Sequence, residues 1–250
     1  MKLKEILQMH YVISNLYGNM VSFEAMLSKI NFSENDHLYI LGNAAGRYGI
    51  RVLNEIMDMD NVTLIHGPME EFIINWYNTK KISDLEDYWG CSRDINGILD
   101  YLEMWKKHQP EFIENLIEYL YIIPCDVNIT IGGNNFILRY NVDIKEYINA
   151  VKVICDDGIS LNKKYESFKD FWLFDTNLQF FDNDKKNIII FGKGPVTSLN
   201  SYLEDAKKLG ITVPNDLLKL TKEREVNDDF SIFKYKNHYC IDSTTSIYST

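Results

Sequence analysis

Basic residues are scarce relative to acidic ones. The 26 Lys and Arg against 36 Asp and Glu leave a formal net charge of −10, a field that repels phosphate backbones and anionic lipid and so excludes nucleic acid from the expected partners. Cysteine is sparse as well. The four present, Cys91, Cys125, Cys155 and Cys240, form no C-x-x-C pair, which speaks against a zinc knuckle or a redox motif. Reduced, mostly buried thiols in a cytoplasmic protein are the expectation. Long hydrophobic runs are missing too: Met1 to Ser14 opens with charges and has no sustained apolar region, and Phe112 to Pro124 is interrupted by Glu114 and Glu118. Neither a signal peptide nor a membrane span is expected. With no internal repeat and no low-complexity linker, residues 1–250 read as a single domain, large enough to bury a full core.

What is present alternates between strand and helix. Tyr11 to Ser14, His37 to Leu41 and Val62 to His66 have strand character, and between them apolar residues fall at helical spacing, Val21, Met26, Leu27 and Ile30, then Ile50, Leu53, Ile56 and Met57. Such alternation implies βαβ units and a largely parallel sheet, an α/β fold. Residues from about Glu71 to Leu120 follow a helical pattern divided at Pro110, which a helix accepts in its first turn but not in its interior. Further on, Val127 to Ile131 and Phe136 to Tyr140 flank Gly132-Gly133-Asn134-Asn135, a hairpin signal. The spacing also predicts helices over Ile144 to Ile154 and Ser198 to Leu209, strands over Ile188 to Phe191 and Tyr239 to Asp242, and a solvated loop over Thr221 to Asp229.

Three loops follow the early strands: Ser14-Asn15-Leu16-Tyr17-Gly18-Asn19, Gly42-Asn43-Ala44-Ala45-Gly46-Arg47 and Gly67-Pro68-Met69-Glu70. Two others come late, Leu138-Arg139-Tyr140 and Phe191-Gly192-Lys193-Gly194-Pro195. In order, spacing and flanks this set resembles the calcineurin-like metallophosphoesterases, in particular the bacterial serine/threonine protein phosphatase branch. The likeness extends to Trp172-Leu173-Phe174, where that branch has Trp-x-Arg, and to Ile241-Asp242-Ser243 near the closing strand. It implies a four-layer αββα sandwich with two mixed β-sheets, and a dinuclear metal site at the strand ends where the metals activate water and clamp phosphate.

Such a site calls for hard anionic oxygen ligands and neutral imidazoles. The resemblance places Asn15 where the family has Asp and Tyr17 where it has His in the first loop, Asn43 at the bridging Asp of the second, Pro68 at the ligand of the third, and Tyr140 and Lys193 at the late histidines. Met69 stands at the general acid, while Arg47 and Glu70 match the family. None of the six ligand positions carries Asp, Glu, His or Cys. The expectation is therefore a pseudophosphatase with no catalytic residues, no metal and no cofactor, acting by binding a partner protein or, weakly, phosphate or another anion. The alternative is a divergent phosphoesterase working without metal or with displaced ligands.

Two readings stay open for the relict pocket. Arg47 and Lys193 either replace the metals' positive charge and bind an anion, or Lys193 fills the cavity and pairs with Glu70. Tyr17 and Tyr140 either stack on a ligand or fill the void. His66 reads as a packed strand-end residue, His10, His37, His108 and His238 carry no ligand spacing, and Asp156-Asp157-Gly158 reads as a helix-terminal turn. The 16 tyrosines suit an adhesive surface as well as a core.

Overall fold

A computed structural model describes residues 8–78, 93–140, 186–192, 215–226 and 232–241, with the side chains of 93–97 and 224–226 excepted. The predicted helices over Ile144 to Ile154 and Ser198 to Leu209, the Trp172-Leu173-Phe174 stretch, Asp156-Asp157-Gly158 and Lys193 lie outside these residues. The protein is α/β, with two sheets that fall in two compact units, Met1–Pro124 and Cys125–Thr250.

In the first unit, β1 (His10–Ile13), β2 (His37–Leu41) and β3 (Val62–Ile65) form a parallel sheet in the order β1-β2-β3. The helices α1 (Met20–Lys29) and α2 (Arg51–Ile56) make the crossovers. Register explains the core: Tyr11, Leu38 and Val62 align across the strands, as do Ile13, Ile40 and Leu64. Side chains two apart along a strand share a face, so all six point to one side. There they meet Phe23 of α1 and Val52, Leu53 and Ile56 of α2. Asn19 caps α1 by accepting the Ser22 N–H at 3.0 Å.

Three further helices are described in this unit, α3 (Pro68–Asn78), α4 (Arg93–His108) and α5 (Pro110–Ile122). Pro110 opens α5 at its first turn, as the sequence predicts. Ile113, Leu116, Ile117 and Leu120, spaced i, i+3, i+4 and i+7, bury one stripe of α5 in the same core. Trp76 ties α3 to α4 through its indole N–H, which donates to Glu103 Oε1 at 2.9 Å.

The second unit holds a mixed sheet in the order β4-β5-β6-β8-β7. Its strands are β4 (Asp126–Ile131), β5 (Asn134–Arg139), β6 (Ile188–Phe191), β7 (Phe233–Tyr235) and β8 (His238–Cys240). One face is covered by α6 (Asn215–Val226), whose Leu217 packs with Ile189, Phe191, Phe233, Tyr235 and Cys240.

Several expectations are corrected. Of the two sheets expected to be mixed, the one formed by β1, β2 and β3 is parallel among the described residues, because both its connections are helical crossovers. The hairpin turn is Gly132 and Gly133 alone, at φ +57° and +79°; Asn134 and Asn135 already pair in β5, since two left-handed glycines close the chain without further residues. Thr221 to Val226 is helical rather than loop: Leu217, Leu218 and Leu220 anchor α6 on the sheet and carry its charged end with them. Strand β7 has no counterpart in the sequence reading.

Asp36, just before β2, fixes how the chain enters the first sheet. Its carboxylate accepts the Ser33 N–H and hydroxyl, both at 2.9 Å, and the Met9 N–H at 3.3 Å. The Ser33 hydroxyl, with smaller help from the two backbone donors, holds its pKa below the ordinary 3.8. A depressed folded pKa means that the stabilisation is present above 3.8 and is lost as pH falls through the lower folded value. Wild type should therefore unfold at higher urea than Asp36→Asn at pH 7, with the gap closing below pH 3.8; equal midpoints at pH 7 would show that the carboxylate contributes nothing.

Candidate functional site

The carboxyl ends of β1, β2 and β3 bring the three early loops together. The first loop runs beside the second as an irregular continuation of the sheet: Asn15 N–H donates to Gly42 O at 3.2 Å, Tyr17 N–H to Asn43 O at 2.8 Å and Gly18 N–H to Ala44 O at 2.8 Å. To make these turns, Asn15, Tyr17 and Asn43 adopt φ of +58°, +49° and +55°. Left-handed backbone is uncommon for any residue but glycine, with Asn among the better tolerated. Gly18 is held where no side chain fits, because a Cβ there would lie 2.2 Å from Gly49 O.

The side chains above these turns bond to one another. Asn43 Nδ2 donates to Asn15 Oδ1 at 2.8 Å and to the Tyr17 hydroxyl at 3.3 Å, while Asn43 Oδ1 accepts the Met69 N–H at 3.1 Å. Amide orientation follows from this bonding pattern, since the Met69 N–H can only meet an oxygen. Both ends of the Asn43 amide are engaged. Tyr17 also packs against the core of the first unit, which favours the reading of its ring as a filler of the site.

Glu70, in the first turn of α3, is completely buried. Its carboxylate turns toward the second loop, accepting Asn43 N–H on Oε2 and Ala44 N–H on Oε1, each at 2.8 Å. Burial pushes its pKa above the usual carboxylate range, and the backbone N–H groups of Asn43, Ala44, Glu70 and Ala45 oppose that push. Tyr119 on α5 feels the same charge: burial first, and then Glu70, raise its hydroxyl to about 12.

Of the nine pocket residues expected from sequence, Asn15, Tyr17, Asn43, Met69 and Glu70 are joined by these bonds. Pro68 opens α3 beside them. Arg47, half-buried in the second loop, lies with its guanidinium 4.8 Å from the centre of the Tyr48 ring. Tyr140 is buried in the second unit, immediately after β5, and Lys193 lies outside the described residues. Glu70 is engaged by backbone. His66 behaves as a packed residue, its pKa lowered by burial, with Nε2 3.7 Å from Glu71 Oε2. Sequence reasoning missed Ala44, Tyr48 and Tyr119. The first acts through its backbone N–H, which no side-chain pattern reports, whereas Tyr48 was visible as the neighbour of Arg47.

Resident metal does not fit this donor set. Asn15, Tyr17, Asn43 and Pro68 supply no anionic oxygen and no imidazole, and Asn43 Oδ1 is engaged by Met69 N–H. Among the described residues no three of His, Cys, Asp and Glu come close enough to share an ion. No described helix is long and apolar enough to cross a membrane.

No protein-family model and no curated protein matches the chain. Among solved structures, hypothetical protein PH1004 from Pyrococcus horikoshii OT3 aligns over 53% of this chain and 54% of its own, at 25% identity and a TM-score of 0.40. The chain thus spans about half the length of that protein, and a likeness of that size carries no argument about function.

Removing an acceptor from the buried network should be expensive. In Glu70→Gln one backbone N–H faces an amide nitrogen that can only donate in place of a carboxylate oxygen, and an unsatisfied buried donor costs about 1–3 kcal/mol. Chemical denaturation should report a loss of that size. Asn43→Asp should lose a similar amount, about 1–3 kcal/mol, because a carboxylate cannot donate to Asn15 and Tyr17. A neutral result for both would mean that the network contributes nothing to stability.

Proposed function

We propose that the chain is a calcineurin-like metallophosphoesterase of the bacterial serine/threonine protein phosphatase type that has lost phosphoesterase chemistry. It acts in the cytoplasm by binding a partner protein or an anionic ligand at the ends of β1, β2 and β3, on a scaffold of four-layer αββα form. The observation that carries this reading is the Asn43 amide. In the family the same position bridges two metals with a carboxylate; here it donates to Asn15 and Tyr17 and accepts from Met69 N–H. These bonds use both halves of an amide, so they suit Asn and not Asp.

Two neighbours support it. Met69, at the position of the general acid, is buried and has a thioether with no proton to give a leaving group. Glu70, the one carboxylate in the three loops, faces the backbone of the second loop. Without activated water and without charge stabilisation, positioning alone leaves hydrolysis near background. Arg47, the one cation in the three loops, is the group that would meet an anion, and the buried Glu70 carboxyl group behind the second loop offers it no help. Affinity for phosphate should accordingly be on the order of millimolar.

Protein purified with manganese present should contain well under one metal per chain and hydrolyse an aryl phosphate at the background rate. Near-stoichiometric Mn, Fe or Zn, or turnover that follows the protein through purification and disappears in Arg47→Ala, would establish the divergent phosphoesterase instead. For the ligand, phosphate titration should move the backbone amide resonances of Arg47 and Tyr48 saturably, and Arg47→Met should abolish the shift. No saturable change would leave a protein surface as the working part.

A further inference from the structure

Among the described residues, the two edges of the mixed sheet are finished differently. Strand β7, at one edge, has three residues and carries the exposed Lys234; shortness and an edge lysine are devices that keep sheets from pairing further. Strand β4, at the other, is twice as long, and its six residues pair with β5 without a bulge. Its sequence, Asp126-Val127-Asn128-Ile129-Thr130-Ile131, has no lysine, no proline and one charge.

The turn fixes which backbone groups of β4 face outward. Gly132 and Gly133 form a two-residue loop closed by the pair Ile131 and Asn134. The closing pair of such a loop is hydrogen-bonded, and bonded and non-bonded pairs then alternate. Ile131, Ile129 and Val127 therefore bond to β5, while the N–H and C=O groups of Asp126, Asn128 and Thr130 point away from the sheet. All three residues are exposed. Side-chain bonds at Asn128 and Thr130 stay within the hairpin, to Asp126 Oδ1 at 3.4 Å and Asn135 Oδ1 at 2.8 Å. Nothing lies within 4 Å of a Cβ built on Gly132 or Gly133, so the hairpin end stands clear of other described chain.

We infer that β4 pairs antiparallel with β4 of a second copy of this chain, across a two-fold axis at Asn128. In that register Asn128 meets its own copy and exchanges both backbone bonds, Asp126 stands opposite Thr130, and Val127 stands opposite Ile129. The single charge of the strand meets a hydroxyl. Val and Ile, both β-branched, fall side by side on one face, a favourable cross-strand pair. Moving the axis to Asp126 sets two carboxylates against each other, and moving it to Thr130 runs the partner into the glycine turn. The edge is thus self-complementary about Asn128, and the cross-linking positions below distinguish that register from those centred on Val127 or Ile129. A single strand pair is smaller than standard interfaces of about 1,200–2,000 Å², so the dimer dissociates on dilution.

Sedimentation velocity over a concentration series should show a reversible monomer–dimer equilibrium. Asn128→Pro removes an outward N–H and leaves the ladder to β5 intact, so it should shift the protein to monomer while the far-ultraviolet circular dichroism and melting curve are kept. If that variant misfolds, Thr130→Lys, which protects the edge with charge alone, should do the same. Register is tested by oxidation in a Cys125→Ser background: Asn128→Cys should yield a disulfide between two copies of position 128, identified by peptide mapping, and Asp126→Cys should not link to itself. A monomer at millimolar concentration would overturn the proposal. So would a dimer insensitive to both edge variants, or self-linkage at 126 as efficient as at 128.

Discussion

The buried carboxylate of Glu70 holds the candidate site in shape. After β2 the chain turns left-handed at Gly42 and Asn43, and that turn aims the N–H groups of Asn43 and Ala44 into the interior, where water cannot serve them. An unpaired pair of buried donors would cost several kcal/mol in total. Glu70 meets both with one side chain, and does so from the first turn of α3, where the helix dipole favours negative charge. Crowding follows from the same geometry: a Cβ on Gly67 would lie 2.7 Å from Gly42 Cα and 2.8 Å from Glu70 Oε2. The ends of β2 and β3 are thereby fixed to each other, and the first loop, bonded along the second, inherits their position.

Much of the first unit was legible because its signals are local. His37 to Leu41 is a run of apolar and aromatic residues bounded by loop residues, and it forms the central strand with those bounds; Pro110 marks a helix start that the backbone cannot place elsewhere. Strand β7 was hidden since three residues carry too little period to be seen, and α6 was misread in its second half because its anchoring leucines all lie in its first six residues. At the site, the loops and the residues Asn15, Tyr17, Asn43, Met69 and Glu70 could be named from their order along the chain. Their bonding could not. A sequence shows that Glu70 is acidic, yet the choice between a lysine partner and two backbone amides depends on a turn formed 27 residues earlier.

The resulting site is uncharged at its centre, with a buried carboxyl group beneath. Asn15, Asn43 and Tyr17 share hydrogen bonds, with Glu70 behind them in the interior. Such a network has a fixed arrangement of donors and acceptors, which holds the ends of the three strands rigidly in place. Aromatic groups gather near it: Tyr48 lies under the Arg47 guanidinium, and the Tyr101 ring of α4 sits 3.2 Å from the place a Cβ on Gly49 would take.

One further consequence comes from the three left-handed residues Asn15, Tyr17 and Asn43. Asn, Asp and His are the non-glycine residues most at home at positive φ. Asp at 15 and 43 and His at 17 would therefore settle onto this backbone with little added strain. The main chain does not distinguish a pocket lined by amides from one lined by carboxylate and imidazole. The side-chain bonds make the distinction: Asp at both 15 and 43 would set two acceptors together where Asn43 now donates to Asn15, so the amides are kept by their bonding and not by the backbone.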